Sequence, residues 1–134
     1  MTSIAPLQAK SKHIVSVETN EPIQLKGISL FWSSWGAEQF YNAETVKHLI
    51  DHWNINVIRA AINIDEKDGY IKNPQGQIER LTQVVEAAIA NNIYVLIDFH
   101  SHHAIEHIEV AKACGKEIGK IFPFAERWFN PTGK

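Results

Sequence analysis

Ile93-Tyr94-Val95-Leu96-Ile97-Asp98-Phe99-His100-Ser101-His102-His103 decides the fold. A largely apolar run leads straight into an acid, an aromatic ring and three histidines. An unbroken Ile/Val/Leu run suits a strand covered on both faces, as in a parallel sheet, better than a half-wet antiparallel one. The polar cluster falls at its carboxyl end. In parallel α/β architectures that is where ligands bind, because the loop beyond is free to vary while the strand holds it. The two-residue period sets Tyr94, Leu96, Asp98 and His100 on one face and Val95, Ile97 and Phe99 on the other. Asp98 and His100 therefore point together, toward a mouth or a core. A purely structural Asp–His pair that pins the loop fits these two residues as well.

Outward from this strand, the chain alternates. Gln77–Ala90 is the clearest helix, with Ile78, Leu81, Val84, Val85, Ala88 and Ile89 on its buried face and Asn91-Asn92 as its stop. Before it comes a long loop, 63–76, acidic at Asp65, Glu66 and Asp68, whose charges read most simply as solvated. Val57–Ile62 is a second strand, and Arg59 within it demands acceptors, which favours the strand's open end. A helix from Asn42 to Asn54 is capped by Asn42 and stapled by Tyr41 and Val46, with Val46, Leu49, Ile50 and Trp53 as its stripe. Leu25–Trp32 is the first core strand, followed by the Ser33-Ser34-Trp35-Gly36 loop. Residues 1–26 read as a small hairpin, with a turn at Glu18–Glu21. Beyond the deciding strand, His103–Ile121 reads as a third helix with Ile108, Ala111 and Ile118 inward, weakened by Gly115 and Gly119. Repeated strand–helix units force parallel strands with right-handed crossovers.

Composition sets the outer bounds. The chain has 134 residues, enough for one core, with 45% hydrophobic and 21% charged residues and a net charge of -2. That balance argues against nucleic acid or an acidic membrane as the main partner. No apolar run approaches the roughly 20 residues that span a bilayer. Cys114 is the only cysteine, so no internal disulfide forms. The first residues lack the basic start and apolar stretch of a secretory signal.

Several stretches taken together point to a family. Leu25–Gly36, Phe40-Tyr41-Asn42, Asn56–Ala61, Gly69-Tyr70, Ala87-Ala88-Ile89 and Tyr94–His100 resemble, in order and spacing, the amino-terminal part of glycoside hydrolase family 5 endoglucanases, the cellulases. The resemblance covers about residues 7–110 and implies an α/β fold, an incomplete (β/α)8 barrel, made of the first three βα units behind a short β-hairpin. It divides the chain into an N-terminal hairpin segment (1–26), the three units (27–112) and a divergent C-terminal tail (113–134). It implies β-1,4-glucan as substrate and secretion of the full-length enzyme, with no metal or other cofactor. Residue by residue, Arg59 becomes the arginine supporting the nucleophilic carboxylate, and His100 the histidine lining the cleft. Trp35 becomes the ring stacked on a glucose, with His102 and Tyr70 as further substrate contacts. The chemistry is consistent: a sugar's C–H face packs on an indole, and a fixed cation keeps a nearby carboxylate ionised. Asp98 is read as structural.

Retaining hydrolysis needs two carboxyl groups about 5–5.5 Å apart. The resemblance makes both of them glutamates, on the fourth and seventh strands, and neither is found here; Asn130-Pro131 lacks the glutamate of the family's Asn-Glu-Pro motif. Because such a barrel usually takes ~250 residues, a truncated and inactive form is expected. Rival readings are a metal-binding module built on His100, His102, His103 and His107, a non-catalytic carbohydrate- or partner-binding protein using Trp32, Trp35 and Tyr70, and another β-glycanase such as a mannanase or xylanase.

Overall fold

The computed structural model describes residues 4–122. Two short strands, β1 (Leu7–Lys10) and β2 (His13–Ser16), pair antiparallel around a turn in which Ser11 takes a left-handed backbone (φ 56°). The hairpin thus turns at Ser11-Lys12, ahead of the expected Glu18–Glu21 turn. The latter also forms, because Val15 bridges Pro22 and so folds the third segment back onto β2.

The main sheet is parallel, in the order β3 (Gly27–Ser29), β4 (Val57–Asn63), β5 (Tyr94–His100). The first core strand is shorter than the expected Leu25–Trp32. Beyond Ser29 the backbone still bonds to β4, Leu30 N–H to Arg59 O at 2.9 Å and Ser33 N–H to Ala61 O at 3.1 Å, but without a regular ladder. Helix α1 (Ala43–Trp53) follows β3. Asn42 caps it by accepting from Thr45 N–H at 2.8 Å, Tyr41 and Val46 are both buried, and Asn54 ends it in the left-handed conformation (φ 52°).

Helix α2 (Pro74–Ala90) begins three residues before the expected Gln77, because Asn73 accepts from Gly76 N–H at 3.0 Å and Pro74 suits a first turn that needs no donor. Its buried face is the expected one except for Ile89, which is exposed. After β5, a 3₁₀ turn (Ala104–His107) precedes α3 (Ile108–Ile121), so the third helix starts later than His103. Ile118 packs inward, whereas Ile108 is half exposed, since it lies in the first turn of α3 before the helix has closed on the sheet. Residues 113–121 of the expected tail continue this helix and Phe122 ends it, with Cys114, Ile118 and Phe122 in the core. Asn130-Pro131 lies outside the described residues.

Even-numbered β4 residues Ile58, Ala60 and Ile62, with Val95, Ile97 and Phe99 from β5, meet α1, α2 and α3. Burying this face, at ~25 cal/mol per Å2 of apolar surface, is the main force holding the layers together. On the opposite face Val57, Ala61 and Asn63 are buried, and the stretch around Ser29, Arg59 and Leu96 is open among the described residues. Leu96, expected in a doubly covered strand, is 54% exposed because nothing packs over Ser29, Arg59 and Leu96 on that side. In a parallel sheet all carboxyl ends emerge at one edge, so the loops after β3, β4 and β5 meet there.

Candidate functional site

Register brings Ser29, Arg59 and Leu96 side by side on the open part of that face, with Asp98 and His100 farther along β5. Arg59 is the third residue of β4 rather than its open end; its long stem carries the guanidinium to acceptors instead. Nη1 donates to Ser29 Oγ at 2.6 Å, and Nη2 donates to Asp98 Oδ2 at 2.6 Å. The same Asp98 oxygen lies 2.6 Å from His100 Nδ1. An ionised carboxylate only accepts, so Nδ1 carries the proton and donates to it. Nε2 of His100 then has no protein hydrogen bond among the described residues and is free to meet a ligand. Asp98 therefore orients both side chains, a role that goes beyond pinning a loop.

Rings continue the cluster. Trp32 meets His100 edge to face with centroids 4.3 Å apart, His102 at 5.0 Å and Trp35 at 5.1 Å, tilted. Trp35 and His102 are exposed and Trp32 half-buried. The path Trp35–Trp32–His100–Asp98–Arg59 is thus continuous along one rim. Trp32 was legible only as an aromatic near the rim, because the strand pattern ended there and nothing in the residue spacing marks it as the hub.

Tyr70 does not join this rim. It is 8% exposed and its hydroxyl donates to Glu117 Oε2 on α3 at 2.5 Å, so the expected substrate contact is replaced by a partly buried tie between the β4–α2 loop and α3. The loop charges are not simply solvated either. Asp65 accepts from Ser101 Oγ at 2.7 Å and lies 3.3 Å from His107 Nε2. Burial pushes its carboxyl up, but the Ser101 hydrogen bond and nearby histidine charge more than offset that and hold it below the usual range. Asp68 accepts from Asn73 and pairs with Arg80 at 2.9 Å, which also keeps it low. The four histidines of the rival reading divide between these clusters, and no group of three or more His, Cys, Asp or Glu side chains among the described residues is arranged to hold a metal ion. No described helix is long and apolar enough to cross a membrane. A recess of about 450 Å3 between residues 38–42 and the first half of α2 touches none of the rim side chains.

Because Asp98 and Arg59 keep about a third of their side-chain surface in water, their pairing is worth less than a fully buried one. Asp98→Ala is expected to cost roughly 1–2 kcal/mol, measured by urea unfolding at neutral pH, and Asp98→Asn less, since it keeps an acceptor for Arg59.

The profile of the family described as Cellulase (glycosyl hydrolase family 5) matches residues 16–131. Endoglucanase Z of Dickeya dadantii is 40% identical over 104 residues, 76% of this chain and 24% of that protein. An endoglucanase of Clostridium saccharobutylicum is 46% identical over 80 residues, covering 60% of this chain and 17% of its own length. Among solved structures, a Cytophaga hutchinsonii protein superposes with a TM-score of 0.81 at 40% identity, over 87% of this chain and 37% of that one. The catalytic domain of the Thermobifida fusca endoglucanase Cel5A superposes with a TM-score of 0.75 at 27% identity, over 84% of this chain and 37% of its own, and has also been solved with cellotetraose. The chain therefore spans about a quarter or less of these curated relatives and little more than a third of these structures, as expected of an incomplete barrel.

Proposed function

The chain belongs to glycosyl hydrolase family 5, the cellulases, and from that premise we propose that it forms the amino-terminal wall of a β-1,4-glucan cleft in an endoglucanase. The observation that carries this reading is the unbroken path Trp35–Trp32–His100–Asp98–Arg59 at one edge of a parallel sheet. The Trp35 indole offers an apolar face to the C–H side of a glucose ring. His100, fixed by Asp98 through Nδ1, presents Nε2 to a sugar hydroxyl, and His102 lines the same wall. Arg59 supplies a fixed positive charge beside the position of an attacking carboxylate, favouring its ionised form.

Hydrolysis with retention needs an acid/base and a nucleophile about 5–5.5 Å apart. In this proposal both are glutamates on strands outside these residues, and Asp98 does not replace either because it is already committed to Arg59 and His100. Purified on its own, the 134-residue chain is expected to release no reducing ends from carboxymethylcellulose above buffer. In native gels containing the same polymer it is expected to be retarded, with Trp35→Ala weakening the interaction roughly tenfold. Hydrolysis by these residues alone would defeat the division of labour. Equal migration with and without glucan would defeat the binding wall.

A further inference from the structure

Trp35 holds a left-handed backbone (φ 54°) and Gly36 follows it in the same region (φ 85°). For a bulky residue this is an outlier, and it persists only when its surroundings over-determine it. The surroundings are a buried polar clamp. Ser33, Asn63 and Gln77 are each 0% exposed. Ser33 Oγ donates to Gln77 Oε1 and accepts from Asn63 N–H at 3.0 Å. Ser33 O accepts from Arg80 Nη1 at 2.8 Å, and Asn63 Nδ2 reaches Ser34 Oγ at 2.7 Å. Gln77 Nε2 donates to Asp68 O at 2.6 Å while Arg80 Nη2 pairs with Asp68 Oδ2 at 2.9 Å, so the β4–α2 loop is tied into the same network. Gln77 and Arg80 stand three residues apart and share one face of α2. On the other side of Trp32, Tyr41 OH donates to Phe31 O at 2.7 Å. The tryptophan pair is thus held by its backbone from both sides.

We infer that Gln77 and Arg80 are positioning residues for the Trp32–Trp35 platform: they lock Ser33 so that both indoles stand preorganised at the rim. This rests on the glucan-binding reading above and deepens it, since a ring fixed before binding loses less freedom when a sugar stacks on it. Neither residue touches the rim: Gln77 holds Ser33 by its hydroxyl and Arg80 holds it by its main-chain carbonyl.

Two readouts separate this role from general stability in the full chain. Coupled indoles give an exciton band in circular dichroism, defined by subtracting the Trp35→Ala spectrum, and acrylamide quenching reports how freely water reaches them. Gln77→Leu and Arg80→Met are expected to lose that band, raise quenching and weaken retention in carboxymethylcellulose gels roughly tenfold, while keeping a cooperative thermal transition. Arg80→Lys, which keeps one donor, is expected to recover part of each signal. A folded variant with the wild-type band and quenching overturns the inference. Should Gln77→Leu fail to fold, Arg80→Met decides on the same terms, since its side chain is partly exposed. If the unmodified chain is not retarded, the glucan reading fails, and the band and quenching still judge the clamp.

Discussion

Gly27→Ala is expected to destroy the pairing of the first two parallel strands and, with it, the rim. A Cβ at Gly27 would lie 1.8 Å from Val57 O and 2.7 Å from Val57 Cγ1. The carbonyl belongs to β4, the central strand, whose neighbouring residues Ile58, Ala60 and Ala61 are completely buried. It has no room to retreat. β3 has only three paired residues, Gly27–Val57, Ile28–Ile58 and Ser29–Arg59, so displacing one unseats the strand. The segment carrying Trp32 continues from β3 and is bonded to β4 through Leu30 and Ser33, so it shifts with β3. A loss above ~4 kcal/mol is expected, which few domains of ordinary stability survive. Gly115 provides the opposite case: an added Cβ meets nothing within 4 Å, and its helical backbone suits alanine. Gly115→Ala is expected to stabilise by ~0.4–1 kcal/mol. Urea unfolding of the two variants beside the parent checks both; a Gly27→Ala chain with parental stability contradicts the close approach.

Those two glycines also mark where sequence reading stops. Asn42 and Asn54 announce the ends of α1 through local hydrogen bonds, so α1 is legible almost to the residue, whereas Asn73 reads as loop and its cap on α2 appears only in the structure. Strand β4 announces itself by composition, and the shared edge follows from parallel order alone. The site needed distance information. Arg59, Asp98 and Ser29 meet only because strands far apart in the chain align in register, and Trp32 becomes the hub only once β5 sets His100 and His102 beside it. Tyr70 was misplaced because its neighbour Gly69 marks a turn without telling which way the ring folds. The ring goes inward, since its hydroxyl finds Glu117 there. Likewise the acidic loop looks solvated until Arg80, Ser101 and His107 arrive from other elements.

Alkali is expected to unfold the chain cooperatively between about pH 9 and 12, with Cys114 and Tyr41 as the groups responsible. Burial pushes the Cys114 thiol from 9.0 up to about 12, helped by the charge of Glu117. Burial likewise raises Tyr41 from 10.0 to about 12, against a smaller opposing effect of its bond to Ala61. Tyr70 and Tyr94 shift upward for the same first reason. In each case the folded state holds the proton more tightly than the unfolded one. The stabilisation is therefore complete below the unfolded values and lost as pH climbs through the folded ones. At about 1.4 kcal/mol per unit, Cys114 and Tyr41 alone withdraw on the order of several kcal/mol, a large share of the stability of a typical small domain. Cys114→Ala removes the group that ionises first in the unfolded chain and is expected to move the alkaline midpoint upward. Tyr41→Phe should behave differently: it strips a partner from the buried Ala61 N–H and from Phe31 O, lowering stability at neutral pH while flattening the alkaline limb. Circular dichroism followed from pH 8 to 12 in the three proteins separates these effects, and an alkaline midpoint unmoved by Cys114→Ala would show that the thiol is not what the base attacks.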